Sequence, residues 1–218
     1  MTMTLISINV APPAAVAHGD GSVTTGIFKQ PVTGPVAVRW LNLDGDGQAD
    51  LRNHGGADKA VYAYSLDHYA YWREVLGRDA LPHGQFGENL TVTGLDEAEL
   101  CVGDQLHIGD ARFTITQPRV PCFKLGIRLA DTRMPKRFAQ SLRTGFYLRV
   151  LEEGTIEAGN AVDVVARGHS RLSIRSLFDA YLKPDDPAAL RILARALEIP
   201  ELSTAWRAHI TQRLARRV

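Results

Sequence analysis

The sequence predicts a mainly β fold, a barrel or sandwich, with a small three-helix bundle at its C-terminus. Two patterns carry this. Up to about residue 167 the apolar residues fall in short alternating runs separated by glycine-rich turns. After His169 the spacing becomes that of amphipathic helices.

In chain order, Ile6, Ile8 and Val10 alternate within a first strand over Leu5 to Val10, and Val36, Val38 and Trp40 alternate in a second. "AVYAYS" reads as a strand leading into a helix on which Leu66, Tyr69, Trp72 and Leu76 share a face, with Ser65 as N-cap and Gly77 as C-cap. "NLTVTG" is a short strand. Leu106 and Ile108 face Phe113 and Ile115 across the turn "GDA", which makes a hairpin. Phe146, Leu148 and Val150 alternate before the turn "EEGT", and Val162 and Val164 follow "AGN".

Beyond His169, Ile174, Leu177, Phe178 and Tyr181 recur at helical spacing. So do Leu190, Leu193, Ala194 and Leu197, behind an Asp186 N-cap and Pro187 at the first helical position. Trp206, Ile210 and Leu214 follow Ser203. The expected division is 1–167 for the β domain and 168–218 for the helices. About fifty residues of helix are marginal alone, so they must pack on the barrel or on a second subunit, and a homodimer is one candidate assembly.

Bulk properties exclude several classes. A net charge of +1 over 218 residues gives no global signature for a nucleic-acid polymer. No apolar run approaches the ~20 residues that span a bilayer, so no membrane partner is expected. The N-terminus lacks a basic, then apolar, export signal, which favours the cytoplasm. Two cysteines, Cys101 and Cys122, make no disulfide framework in a reducing compartment.

Chemistry concentrates around Cys122. Between Arg119 and Arg149 there are eight basic residues and a single acid, Asp131, so a nearly neutral chain carries its positive charge beside a cysteine. One reading is an anion-binding wall with arginines suited to phosphate; the other is a solvated face. Cys122 itself is either a small buried hydrophobe or a thiolate favoured by nearby cations, hence a nucleophile or metal ligand. Pro118 and Pro121 restrict the backbone around it. Cys101, in "ELCVGDQL", reads as structural. No CxxC or HExxH is present and the histidines show no ligand spacing, so a metal on Cys122 would need most of its ligands from elsewhere.

Two remote loops have compatible chemistry. "LDGDGQADLRNHGGADKAVYAYS" offers a flexible backbone at Gly55 and Gly56 that can turn N–H groups toward an anion, with Lys59 beyond and His54 as a proton or hydrogen-bond donor. Its acidic part, Asp44 to Asp50, reads as a polar loop without EF-hand spacing. "PHGQFGENLTVTGL" places Glu88 and Asn89 at a strand start, where Asn89 faces a pocket or closes the turn.

"GDGQADLRNHGGADKAVYAYS", "FGENLTV", "VGDQLHIG", "QPRVPCFKL" and "TGFYLRVLEEG", in that order, resemble the MOSC domain family. The likeness is greatest to its YiiM-type subgroup, which carries a three-helix C-terminal domain, and it covers nearly the whole chain. It implies a MOSC-type β-barrel with peripheral helices and a molybdenum cofactor (molybdopterin), whose metal takes the Cys122 thiolate as a ligand. It further implies reduction of N-hydroxylated small molecules, base analogues such as 6-N-hydroxylaminopurine among them, in a detoxifying role. R–NHOH would become R–NH2 with loss of water, using two electrons from an electron-donor reductase by way of the metal. In that setting Arg119 and then Lys59 are the expected cofactor contacts, joined by Lys29, Gly55, Gly56 and Asn89. Thr25, in "VTTGIFKQPV", would hydrogen-bond substrate or a metal oxo group, Asn89 would orient the substrate, and His54 is the candidate general acid. Two other readings of the same residues are a cofactor carrier without turnover and a metal-free hydrolase with Cys122 as nucleophile.

Overall fold

The computed structural model describes residues 2–49 and 55–216. The first elements are β1 (Met3–Val10), β2 (Ala14–His18), β3 (Gly21–Thr25), β4 (Gln30–Val32), β5 (Val36–Val38), a 3-10 turn (Ala57–Lys59), β6 (Val61–Ser65), α1 (His68–Leu76) and β7 (Leu90–Thr93). There follow β8 (Gln105–Ile108), β9 (Ala111–Pro118), α2 (Phe123–Leu129), α3 (Met134–Gln140), β10 (Phe146–Glu152), β11 (Gly154–Ile156) and β12 (Ala161–Ala166). The chain ends in α4 (Ile174–Leu182), α5 (Pro187–Ala196) and α6 (Thr204–Ala215).

The fold is a closed barrel. Strands run β12-β8-β9-β10-β6-β7-β1, and β1 returns to β12 through Met3↔Val162 and Thr4↔Ala161. β4 is appended to β1. All neighbours are antiparallel except β6 and β7, whose parallel pairing requires the crossover that α1 supplies. β2–β3 form an outlying hairpin, and β5 pairs with β11.

The first strand departs from simple alternation. A register shift between Leu5 and Ser7 buries Leu5, Ser7, Ile8 and Asn9 and leaves Ile6 half-buried. This is a β-bulge, which turns the strand and re-aims its side chains. Trp40 lies outside β5 and is exposed, because the chain reverses through the Arg39 N–H to Asn42 carbonyl bond. The N-cap of α1 is Asp67 and not Ser65, which is the buried last residue of β6. Two helices beyond the sequence expectation, α2 and α3, follow Cys122.

β6 shows how the molecule is layered. Val61 and Ala63 face the barrel core, while Tyr62 and Tyr64 face a second cluster with Trp72, Phe86, Leu129 and Phe138. Trp72 stacks on Phe138 at 5.2 Å, and its Nε1 donates to the Tyr64 hydroxyl at 2.6 Å. Helices α1 to α3 cover that outer face by supplying Trp72, Leu125, Leu129, Met134 and Phe138 to the same cluster. Gly145, just before β10, has φ +65, and a Cβ there would sit 2.3 Å from the Ala63 carbonyl oxygen, so only glycine lets β10 close on β6.

The second and third C-terminal helices begin as the sequence predicts, and Ser173 caps the first in the same way. Ser173, Asp186 and Ser203 accept the N–H groups of Ser176, Ala188 and Trp206. Their apolar faces, including Leu177, Phe178, Leu193 and Ile210, belong to the same core cluster as the barrel interior. Backbone bonds stitch the join: Ile174 N–H to Leu100 carbonyl and Ser203 N–H to Thr116 carbonyl.

Asp58 is the ionic clamp at this join. Its Oδ1 accepts from Arg149 Nε at 2.8 Å, and its Oδ2 accepts the Thr204 N–H of α6 at 2.8 Å. Burial works against the Asp58 charge, but the Thr204 N–H and Arg149 outweigh it and hold the carboxyl below its ordinary value. A depressed carboxyl stabilises the fold above its unfolded value, near 3.8, and loses that contribution as pH falls through the folded value. Asp58→Asn is therefore expected to lower stability by about 1–2 kcal/mol at neutral pH. Urea melts of the two proteins should differ at neutral pH and converge as pH falls below the depressed value of the Asp58 carboxyl; a difference that persists unchanged in acid would contradict this assignment.

Candidate functional site

Six of the residues singled out from the sequence meet around one cleft of about 680 Å³ at a barrel mouth: Thr25, Lys29, Lys59, Asn89, Arg119 and Cys122. Lys124 and Asp46 also line it, so among the described residues four cationic side chains face a single carboxylate. His54 lies outside the described residues. Gly55 does not line the cleft, and the Gly56 N–H donates to Gln48 Oε1 at 3.0 Å, so this amide secures the loop and does not point at an anion.

The loop carrying "FGEN" is built around Glu88. This fully buried carboxylate accepts from the Gly84 and Phe86 N–H groups at 3.0 Å, from Thr91 Oγ1 at 3.1 Å, and from the Tyr69 hydroxyl. Burial still pushes its carboxyl up. Gly87, at φ +82, passes so close to Ile27 that a Cβ would lie 2.7 Å from its Cγ1. Glu88 thus fixes Asn89. The Asn89 amide is engaged on both sides: Oδ1 accepts the Tyr62 N–H at 3.0 Å, and Nδ2 donates to Asp46 Oδ2 at 2.9 Å.

Asp46 is the hub that sequence reasoning left inside a generic polar loop. It is almost fully buried and accepts from Lys29 Nζ, from the Ala11 N–H at 3.0 Å and from Asn89. Burial pushes the Lys29 ammonium below the usual lysine range, and Asp46 opposes that. Lys29 therefore reaches the cleft as one half of an ion pair. Thr25 Oγ1 accepts the Ile27 N–H at 3.2 Å in a local turn beside it.

Arg119, at the end of β9, is buried. Its guanidinium lies 4.8 Å from the Tyr62 ring centroid and 5.3 Å from that of Phe138. Burial disfavours its charge, but Tyr62, Tyr147 and Cys122 outweigh this and hold it more firmly protonated than an ordinary arginine. Among the described residues its Nη1 has no hydrogen-bond partner. A buried, charged and unpaired donor is costly, and an anionic ligand in the cleft would satisfy it. Burial pushes the phenol of Tyr147 up, with Arg119 opposing, so Tyr147 is neutral at physiological pH.

The remaining basic residues near Cys122 disperse. Arg133 and Arg137 pair with Asp131, Arg143 lies over Tyr71, Arg149 holds Asp58, and Lys136 is exposed. Of the eight, only Arg119 and Lys124 line this cleft. The anion-binding wall read from composition is thus two residues of that run plus Lys29 and Lys59 from distant loops.

Cys122 is half-buried at the N-cap position of α2. A second cleft of about 820 Å³ meets the first there, sharing Lys59, Val120, Cys122 and Tyr147 and reaching Tyr181, Trp206 and His209 of the C-terminal helices. Among the described residues no three His, Cys, Asp or Glu side chains cluster to hold a metal ion, so a metal on Cys122 would take its other ligands from beyond them. Also among the described residues, no helix is long and apolar enough to cross a membrane.

The barrel, its parallel β6–β7 crossover and a cysteine at a cationic mouth define a MOSC-domain protein. The chain belongs to that family, which matches residues 50–163. Residues 173–217 match the YiiM-like 3-alpha helix domain. The chain is 39% identical over 205 residues to the uncharacterized protein YflK of Bacillus subtilis, covering 94% of this chain and 91% of that one. The crystal structure of YiiM from Geobacillus stearothermophilus superposes with a TM-score of 0.80 at 38% identity, over 97% of this chain and 99% of that one. A Gibberella moniliformis protein named "Reductase" is 32% identical over 183 residues; these are 83% of this chain but only 32% of the longer relative.

Asp46→Ala would strand the buried Lys29 charge and one Asn89 donor. It is expected to cost about 3 kcal/mol in chemical denaturation at neutral pH. Asp46→Asn, which keeps an acceptor for Ala11, should cost less. Equal losses for both would mean that the charge pair with Lys29, which both variants remove, outweighs the hydrogen bonds from Ala11 and Asn89.

Proposed function

We propose that the cationic cleft holds a molybdenum cofactor with Cys122 as its protein ligand, and that the protein reduces N-hydroxylated small molecules. The observation that carries this reading is the unpaired, buried Arg119 nitrogen beside Cys122 in a cleft whose lining is cationic. A molybdopterin has a phosphate and a dithiolene. The first suits Arg119, Lys124 and Lys59; the second supplies the soft ligands that the chain lacks around its one thiolate. The name of the Gibberella relative fits a reductive role.

When bound, the metal would supply the two-electron chemistry, with R–NHOH, two electrons and two protons giving R–NH2 and water. The chain's own part is to seat the cofactor and deliver a proton. Arg119 and Lys124 hold negative charge in a partly enclosed cleft, where it is worth more than in water. Tyr147 lines both clefts as a neutral phenol and is the described residue best placed to donate a hydrogen bond to the departing hydroxyl. His54 remains the sequence-based candidate for the same role. An electron-donor reductase must feed the centre.

Metal analysis of protein from a molybdopterin-producing host tests the core of this. Wild type should hold close to one molybdenum per chain, and Cys122→Ser should lose both metal and hydroxylamine reduction while keeping its fold. Folded wild-type protein from such a host without molybdenum would defeat the proposal. Tyr147→Phe should retain metal and reduce kcat about 10- to 100-fold. If instead His54→Ala gives that loss and Tyr147→Phe does not, the proton comes from His54.

A further inference from the structure

Arg119 enters the first cleft from a backbone position fixed on the neighbouring strand. Its N–H donates at 3.1 Å to the carbonyl of Gly145, just before β10. Gly145 is held in its left-handed conformation with no side chain of its own, so its carbonyl points only as steadily as the peptide before it is held. That peptide is gripped on both sides. The Tyr62 hydroxyl donates to the Thr144 carbonyl at 2.7 Å, and the Gly145 N–H donates to Glu97 Oε1 at 3.1 Å. Glu97 comes from "LDEAEL", between β7 and β8, and is wholly buried. Its carboxylate is held in turn by His68, the first residue of α1, whose Nε2 lies 2.8 Å from Oε2 and 3.0 Å from Oε1. A carboxylate only accepts, so this imidazole nitrogen carries the proton in the contact. Burying a carboxylate is costly, and a lone peptide N–H is satisfied by any neutral acceptor. What the carboxylate adds is a link that accepts from α1 and from the β10 corner at once.

We infer that Glu97 is a positioning residue for Arg119, an assignment that rests on the reading of the first cleft as the seat of an anionic cofactor. Glu97 fixes the peptide between Thr144 and Gly145, that peptide aims the Gly145 carbonyl, and the carbonyl places Arg119. The Arg119 Nη1, which has no partner among the described residues, is thereby set in the cleft wall. The Tyr62 ring over which the guanidinium lies belongs to the tyrosine that grips the same peptide, so backbone and side chain of Arg119 share one reference. His68 keeps the Glu97 carboxylate in the rotamer that reaches Gly145. Neither His68 nor Glu97 lines the cleft, and both act on the anion through Arg119 alone.

The test is calorimetric titration of inorganic phosphate into the full chain, purified from a host that makes no molybdopterin. Wild type should bind phosphate, and Arg119→Ala should weaken it at least about tenfold. Glu97→Ala should weaken it about tenfold with Arg119 intact. Glu97→Gln keeps an oxygen for the Gly145 N–H and should restore affinity to within about threefold of wild type. His68→Leu frees the carboxylate from its second partner and should fall between these two; it decides the matter where Glu97→Ala does not fold. Tyr64→Phe is the structural control. It removes the bond to the Arg143 carbonyl and the acceptor for Trp72, so it should lower the urea midpoint, yet it leaves the Glu97 line untouched and should leave phosphate affinity unchanged. Wild-type affinity in folded Glu97→Ala or in His68→Leu would overturn the inference. So would Glu97→Gln no tighter than Glu97→Ala, or an equal loss in Tyr64→Phe. Wild type that binds phosphate through Arg119 yet takes up no molybdenum in a competent host would sink the cofactor reading and leave Glu97 in its role. Wild type that binds no phosphate defeats the role of Glu97, whether or not the chain takes up molybdenum.

Discussion

The site depends on how β1 changes partners. Its first residues close the barrel on β12, its middle pairs with β7, and its end pairs with β4. One strand can do this because the bulge between Leu5 and Ser7 re-aims it, which puts Ser7, Ile8 and Asn9 inside together. From Asn9 a chain of bonds runs to the cleft. Its N–H donates to the Asn89 carbonyl, its side chain donates to Thr91 Oγ1, and two residues on the Ala11 N–H donates to Asp46. The cleft floor is therefore an extension of the barrel's closure, and its groups are held by the most buried part of the molecule.

Charge inside such a floor has to be compensated locally. Lys29 and Asp46 do this as a pair, and Glu88 does it by collecting four donors. Arg119 is compensated less fully. Two aromatic faces and a hydrogen-bond network short of one partner leave its charge only partly met. Among the described residues Arg128 Nε and Arg175 Nε also lack partners, but of these three arginines only Arg119 lines the cleft with the half-buried cysteine.

Much of this was legible in the sequence, and the failures have physical reasons. The hairpin at Gly109–Asp110 and the capped C-terminal helices carry local signals, period 2 or period 3.6 with turn and cap residues, and both formed where expected. Helices α2 and α3 are seven residues each. The first has Gly126 at its centre and Lys124 buried, which erases an apolar stripe, and tertiary packing of Leu125 and Leu129 on the aromatic cluster is what holds it. Cys122, Arg119 and the two loops stood out by residue type. Asp46 did not, because an aspartate between glycines looks the same whether it is solvated or is the acceptor for three distant donors. Tyr62 and Tyr147 escaped notice for a similar reason: strand tyrosines read as packing residues until the strand order shows which face each occupies.

The position of the helical unit follows from the same geometry. A barrel mouth open to solvent would leave the shared cysteine accessible to any small oxidant or nucleophile. Asp58 binds the turn carrying Lys59 to Arg149 on β10 and to the first turn of α6. The same short segment thereby presents Lys59 to the cationic cleft and sets α6, with its Trp206 and His209, across the second. A shift of α6 would thus change the aromatic wall and the lysine position together. The barrel and its C-terminal helices share one cluster of apolar contacts, and the cleft between them is a product of that shared packing.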